Sequence, residues 1–446
     1  MIKYTRLFIT VILATIVYQV SAQSTATTSS PYSQFGLGEL VPQALPQNIG
    51  MGGITTATNQ FGGYFNINPA NPASYGAIGL TTVDVGLYGQ TITLSQNGQP
   101  NQSNGNFRFS HIAFAFPLSK HSAFSFGAMP YSQMGYNYKV TKSNFGTGLP
   151  ADTNAVNYLY NGDGGLTKAY IGYGFNIGNH FFVGGNISYI FGKLHQYAST
   201  EIPNLPGTLD SRIENSYAIG GVSYDYGAQY VIDLSNTKHI TLGYSGSLNN
   251  SINSQYTNLV YQYNYDDSGN QNTPLDTLQS TKNPKNKIKL PLMNSFGLTY
   301  MQDNKLVVGG QYSMGKWSQF TIGGVNQGLQ DSKSFNVGGQ FTPKYDALNN
   351  YWATVGYQLG FEYNQTYVNV NDPTTNNTTN IKNYAVTVGM GLPLRPNFTS
   401  FYRVNLAAEI GREGTLQNSL VRETYVNFHL SFTMNDRWFV KQKLGE

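Results

Sequence analysis

The chain has 446 residues, 26 Lys and Arg against 22 Asp and Glu, a formal charge of +4 and no cysteine. Charged residues make up 11% of it, under half the ~25% usual for soluble domains, while aromatics reach 14%, with 34 tyrosines and 49 glycines. Near-neutral charge gives no case for a nucleic-acid partner, the lack of cysteine excludes a disulfide framework, and the low-charge, Tyr- and Gly-rich composition fits a transmembrane β-barrel.

Met1 to Arg6 form a positive stretch, Leu7 to Val17 an apolar one, and Val20-Ser21-Ala22 a small-residue cleavage pattern. Residues 1–22 are therefore expected to be a secretory signal peptide, too short in its apolar run for a membrane anchor. Cleavage would remove Lys3 and Arg6 and no acid, taking the formal charge from +4 to +2. No later run approaches the ~20 apolar residues of a membrane helix.

Residues 23–79 are expected to form an N-terminal extension and hatch. The stretch Asn48–Gly76 is glycine-rich, carries two Asn-Pro-Ala triplets and has neither a helical nor an alternating period. Gly permits positive φ and Pro removes a ladder donor, so the stretch predicts a compact irregular unit. Met51, Ile54, Phe61, Phe65 and Ile67 would be superfluous in a surface linker. They suit a plug packed inside a barrel, with Asn68, Pro69, Ala70, Asn71, Pro72 and Ala73 as its tight turns.

From residue 80 to 435 the sequence predicts an all-β, antiparallel barrel of about fourteen strands. They lie near 81–95, 105–117, 122–142, 164–178, 180–195, 212–232, 238–254, 287–301, 304–315, 333–344, 350–369, 380–391, 399–411 and 420–435. Alternation is clearest late: Val404, Leu406, Ala408 and Ile410 share one face, and Arg403, Asn405, Ala407 and Glu409 the other. The next strand sets Val426, Phe428, Leu430 and Phe432 against Tyr425, Asn427, His429 and Ser431; strand 350–369 opposes Val355, Tyr357, Leu359 and Phe361 to Gly356, Gln358, Gly360 and Glu362. Such a period of two marks a lipid-facing exterior and a polar lumen. By the same parity Asp84, Asp225, Glu362, Arg403 and Glu409 point into the lumen, where charges must be paired or hydrated. They are expected to tether the hatch or, failing that, to line a wet channel.

Connections at 96–104, 143–163, 196–211, 255–286, 316–332, 370–379 and 412–419 are long, and those at Leu118–His121, Ile177–Asn179 and Gln302–Asp303 are short. Long extracellular loops and short periplasmic turns give this order in outer-membrane barrels. Residues 436–446 would be a periplasmic tail. In the third strand, Phe124–Gly135, Pro130 cannot donate to the ladder, so a bulge or gap is expected there. Gly127 and Gly135 permit a kink, and Met129 and Met134 supply adaptable apolar lining.

No catalytic constellation, metal site or cofactor motif is present. The six histidines are dispersed, none stands four residues from another beside a Glu, and there is no P-loop or Gly-x-Ser-x-Gly elbow. His429 and Ser431 share a face, which polar lumen filling explains as well as a reactive pair does.

The run Asn48–Gly76 resembles the hatch of the FadL-like family of outer-membrane transporters of long-chain fatty acids and aromatic hydrocarbons. Ser29–Leu40 and Asn435–Lys443 are similar to Bacteroidota versions. The resemblance implies a fourteen-stranded barrel in the outer membrane that passively takes up a hydrophobic small molecule. Its hatch would move, and its kinked third strand, here Ala128, Met129, Pro130, Met134 and Gly135, would release the molecule sideways into outer-membrane lipid. A second implication is an accessory or shuttle barrel of a protein secretion machine, binding a protein partner through its extracellular loops.

Overall fold

The computed structural model describes residues 28–61, 63–144, 154–203, 208–265, 271–371, 378–394 and 400–438. The expected signal peptide, and all but three residues of the expected tail, lie outside the described residues. Fourteen antiparallel strands form the wall. They are β1 Thr81–Ser95, β2 Gln102–Ser119, β3 Ser122–Ser143, β4 Ala155–Ile177, β5 Phe181–Glu201 and β6 Asp210–Ser235. Next come β7, in two pieces Lys238–Ser247 and Ser251–Tyr263, and β8, in two pieces Asp276–Lys289 and Met293–Gln302. The remainder are β9 Leu306–Gly315, β10 Ser332–Phe341, β11 Gly356–Asn371, β12 Thr378–Leu394, β13 Phe401–Gly414 and β14 Arg422–Asp436. Each pairs with its neighbour in sequence, and β14 pairs with β1 from Arg422↔Ser95 to Asp436↔Thr81, which closes the barrel.

The alternation explains which way the wall faces. Leu406 and Ile410 of β13 and Phe428, Leu430 and Phe432 of β14 are exposed, while Asn405, Ala407, Asn427 and Ser431 are buried. A soluble sheet buries its apolar side; here the apolar side is outermost, as lipid requires. Bare edges would leave backbone groups unsatisfied in lipid, and only a closed ladder avoids that cost.

Two expectations of irregular structure fail. Much of 255–286 is strand, since Ser251–Tyr263 pairs with Asp276–Lys289, and β4 begins at Ala155, inside the expected loop 143–163. These pieces are rich in Asn, Gln, Thr, Tyr and Lys and stand beyond the apolar belt, so no alternation announces them. The reverse holds at 350–355: Tyr351–Thr354 is a helical turn and Val355 is fully buried, so the outward face of β11 starts at Tyr357. Both β7 and β8 break, at 248–250 and 290–292, and the facing of their residues reverses across the break. Below it the even-numbered Leu242 and Leu298 are exposed; above it the even-numbered Ile252 and Ile288 are buried.

The lumen is filled by the chain ahead of β1. It runs as a 3-10 turn Pro31–Gln34, a two-residue strand Glu39–Leu40, a short helix α1 Pro46–Ile49 and a 3-10 turn Pro72–Ala77. Three apolar clusters hold it. Tyr32 and Leu37 pack with Met134, Trp317 and Tyr367; Leu45, Ile67 and Ile78 with Met129 and Tyr170; Met51, Ile54 and Phe61 with Val307.

Candidate functional site

The hatch is tied to the wall chiefly by neutral amides and hydroxyls. Asn336 Nδ2 donates to Gly52 O at 2.7 Å, Gln358 Nε2 to Gln47 O at 3.1 Å, and Gln229 Nε2 to Thr56 O at 3.0 Å. Gly52 N donates to Thr387 Oγ1, and the backbone nitrogens of Thr55 and Thr56 both donate to Gln311 Oε1. Asn435 grips Phe65 with both ends of its amide, at 2.9 and 3.1 Å. An amide offers donors and acceptors together, so it satisfies an irregular backbone without burying net charge. Wall glycines let that backbone come close: a Cβ on Gly360 would overlap the backbone nitrogen of Gly52, and one on Gly184 the carbonyl of Pro72.

The Asn-Pro-Ala triplets brace the hatch from within. Asn68 Nδ2 donates to the carbonyls of Thr55 and Thr58, and Asn71 Nδ2 to that of Thr56. Pro69 O accepts from Asn186, Ala73 N donates to Asn71 Oδ1, and Ala70 is half-buried. Phe65 lies partly buried against the Ile67–Ile78 cluster.

The five lumen charges are enclosed, but most of their bonds run along the wall rather than to the hatch. Asp84 accepts from Thr433 and lies 2.7 Å from His111 Nε2. Asp225 pairs with Lys168 at 2.8 Å and accepts from Ser188 and Ser247. Glu409 accepts from Tyr425 and Asn427, with His429 at 3.8 Å. Arg403 donates to Gln340 and holds its guanidinium near the Phe61 and Tyr64 rings of the hatch, while Glu362 lies beside Gly53. Ser431 accepts from Asn405, and His429 packs edge-on to Tyr88.

The third strand departs from the rest of the wall. The described ladder between β2 and β3 covers only Ser119↔Ser122 to Ile112↔Ala128. Each strand bulges near that end, β2 at Ser110 between the pairs Gly86↔His111 and Leu87↔Phe109, and β3 at Tyr131 between Pro130↔Thr167 and Ser132↔Leu166. One extra residue exchanges inside for outside. Phe126 accordingly faces out, while Met134, also even-numbered, is buried in the lumen.

Beyond the bulge, β3 bonds to the N-terminal segment instead of β2. Glu39 and Leu40 pair with Gln133 and Ser132, Val41 N donates to Tyr131 O, and Gln43 donates to Pro130 O. Ser33 Oγ accepts from Gly135 N at 3.0 Å, and its one proton is shared between Ser30 O at 2.7 Å and Gly135 O at 3.2 Å. Ala128 is thus the last β3 residue bonded to β2, Met129 packs on the hatch, and Gly135 lies under Thr28. A cavity of about 130 Å³ adjoins this segment, lined among others by Leu37, Met134, Leu194 and Leu329 with the amides of Gln34 and Gln196. The loop carrying Leu329 folds inward over it, anchored by Trp317 stacked on Tyr367 at 4.3 Å.

A closed fourteen-stranded wall with an apolar exterior and an internal hatch defines an outer-membrane β-barrel. The chain belongs to the BamG family, whose model matches residues 1–445. Solved structures share the fold. The toluene transporter TbuX of Ralstonia pickettii is 15% identical, with a TM-score of 0.58 over 89% of this chain and 99% of that one. The toluene transporter TodX of Pseudomonas putida is 14% identical, with a TM-score of 0.56 over 90% and 99%. A Pseudomonas aeruginosa FadL homologue is 13% identical, with a TM-score of 0.54 over 90% and 100%. No curated protein sequence matches the chain.

Proposed function

We propose that the protein is a passive channel that delivers hydrophobic small molecules from the cell surface into the outer membrane through the seam between β2 and β3. The observation that carries this is the edge of β3 beyond Ala128, which is bonded to residues 39–41 and not to β2. A wall strand bonded to a neighbouring strand opens only by breaking the ladder; one bonded to a hatch segment opens when that segment moves. Met134 and Leu37 line the cavity and belong to the two sides of that contact, so a molecule in the cavity is one side chain from the seam. Burying an apolar solute there is favourable by ~25 cal/mol per Å². The fold shared with transporters and channels of toluene and other monoaromatic hydrocarbons supports the same class of cargo.

The test is a removable lock. Leu40 and Ser132 are paired residues, and facing Cα atoms of a sheet stand about 4.5–5.5 Å apart, within disulfide range. The chain has no cysteine of its own, so Leu40→Cys with Ser132→Cys forms one defined bond. Oxidised cells are expected to take up labelled toluene at the rate of cells lacking the protein, and reduction to restore uptake. Equal uptake in both states would exclude this route.

A second role, binding a protein partner at the cell surface, draws on the polar extension of β7 and β8, where every side chain from Asp276 to Lys287 except buried Asn286 is exposed. Deleting 255–286 separates the two, because it removes a partner surface and leaves the seam intact.

A further inference from the structure

The lipid-facing side of β10–β14 carries a row of cations at the end away from the short turns. Phe335, Tyr363 and Tyr384 sit side by side in register on β10, β11 and β12, and Phe335 and Tyr384 are exposed. Two residues further from the short turns, the same row becomes Lys333, Gln365 and Lys382. The pair Asn383↔Glu413 is followed by Gly414, which faces Arg422 on β14, and Arg412 joins diagonally from β13, opposite Tyr384 and Thr424. Lys333, Lys382 and Arg412 are exposed, and each has the parity of the outward apolar residue beneath it, Phe335, Tyr384 and Ile410.

Among the described residues none of the four has an acid within ion-pair distance. The acids nearest Arg412 and Arg422 in sequence, Glu409, Glu413 and Glu423, have the opposite parity and face the lumen, and Asp331, two residues from Lys333, is taken by Lys316 at 2.7 Å and by Ser318. Arg422 Nε is also enclosed without a hydrogen-bond partner. At the rim of short turns acids are engaged as well. There Asp233 lies 2.6 Å from His239 and 3.7 Å from His180, and His239 also reaches Asp303 at 3.3 Å. At both rims the paired acids are thus taken up by other partners, and the four cations of the row stand directly above an aromatic belt.

We infer that the row Lys333–Lys382–Arg412–Arg422 is a binding surface for phosphorylated lipids of the outer leaflet. Long cationic side chains lay their stems on the aromatic belt and hold their charged ends at headgroup depth. Neighbouring strands are ~4.8 Å apart, so Lys333 and Lys382 stand about 10 Å apart along the row, spaced for a headgroup with more than one phosphate. Guanidinium groups beside them offer forked donors that fit phosphate oxygens. Cations near an anionic surface contribute about 1 kcal/mol each, or roughly fivefold in affinity.

The full chain and the triple variant Lys333→Gln, Lys382→Gln, Arg412→Gln are placed in nanodiscs containing diphosphorylated lipid A or its dephosphorylated form. Lipid retained on the barrel is then counted by native mass spectrometry. Wild type is expected to hold the phosphorylated form in preference, and the triple variant to lose at least tenfold of it. A control, Lys305→Gln with Lys344→Gln at the other rim, is expected to behave as wild type. Unchanged heat-modifiable migration on gels shows that each barrel is folded; should the triple variant misfold, Lys333→Gln alone is measured for a drop of about fivefold. Equal retention by wild type and a folded variant, or no preference for the phosphorylated lipid, would overturn the inference.

Discussion

Two seams of the same wall, two strands apart, behave in opposite ways. Between β14 and β1, the last and first strands, fifteen residue pairs run from Ser95 to Thr81 with no register shift. Between β2 and β3, consecutive strands of one hairpin, seven pairs form and the ladder stops at a bulge on each side. The seam that joins the distant chain ends is complete, and the one that should be easiest to form is left short. The opening is therefore no failure of closure. It is set by the bulges at Ser110 and Tyr131, by Pro130 beside the second, and by a hatch segment that takes the place of β2.

The largest effect should come from moving the proline. Leu430→Pro places in the last strand of the wall the missing donor that β3 tolerates at 130, and leaves a backbone group unsatisfied in lipid at a cost of several kcal/mol. The barrel is expected to lose heat-modifiable migration on gels, and normal assembly would show the last strand to be no more demanding than β3. Gly135→Val should act next. Its side chain would overlap the backbone of Thr28 and push away the segment that covers the short seam. Overpacking of this kind costs typically 1–3 kcal/mol. The barrel is expected to assemble but to show raised ion conductance in planar bilayers, and wild-type conductance would mean that the segment does not seal the wall. Smallest is Ser33→Ala, which removes one hydroxyl and with it the bond from Gly135 N and the proton shared with Ser30 O, about 1 kcal/mol. Hydrogen exchange should rise over 28–41 and remain unchanged over β14 and β1; uniform exchange across both would erase the contrast between the seams.

Much of this wall is legible in the sequence because lipid imposes one rule on every strand within the apolar belt. Leu406, Ile410, Phe428 and Phe432 had to alternate with polar neighbours, and they do so visibly. The rule lapses where lipid ends, and there the polar strands 251–263 and 276–289 look like loop. It also lapses at a bulge. Pro130 marks the neighbourhood of the break in β3, but nothing in Tyr131 or Ser110 announces an extra residue, so the inward turn of Met134 cannot be counted from parity. The lumen is legible in polarity but not in roles. Charges drew notice as tethers because burying them is costly, whereas most tethers are Gln229, Gln311, Asn336, Gln358 and Asn435. Five amides spread over five strands carry no spacing that would single them out; only a hatch backbone laid against them does.

That spread bears on the order in which the protein is built. The hatch is the part of the chain made before any wall strand, yet its partners Gln358, Thr387 and Asn435 lie on β11, β12 and β14. Its grip on Asn435 waits for almost the last residue of the wall, the same strand that completes the seam with β1. During synthesis and insertion the earliest segment must therefore remain only partly held, and the step that seals the cylinder is also the step that finishes anchoring what is inside it.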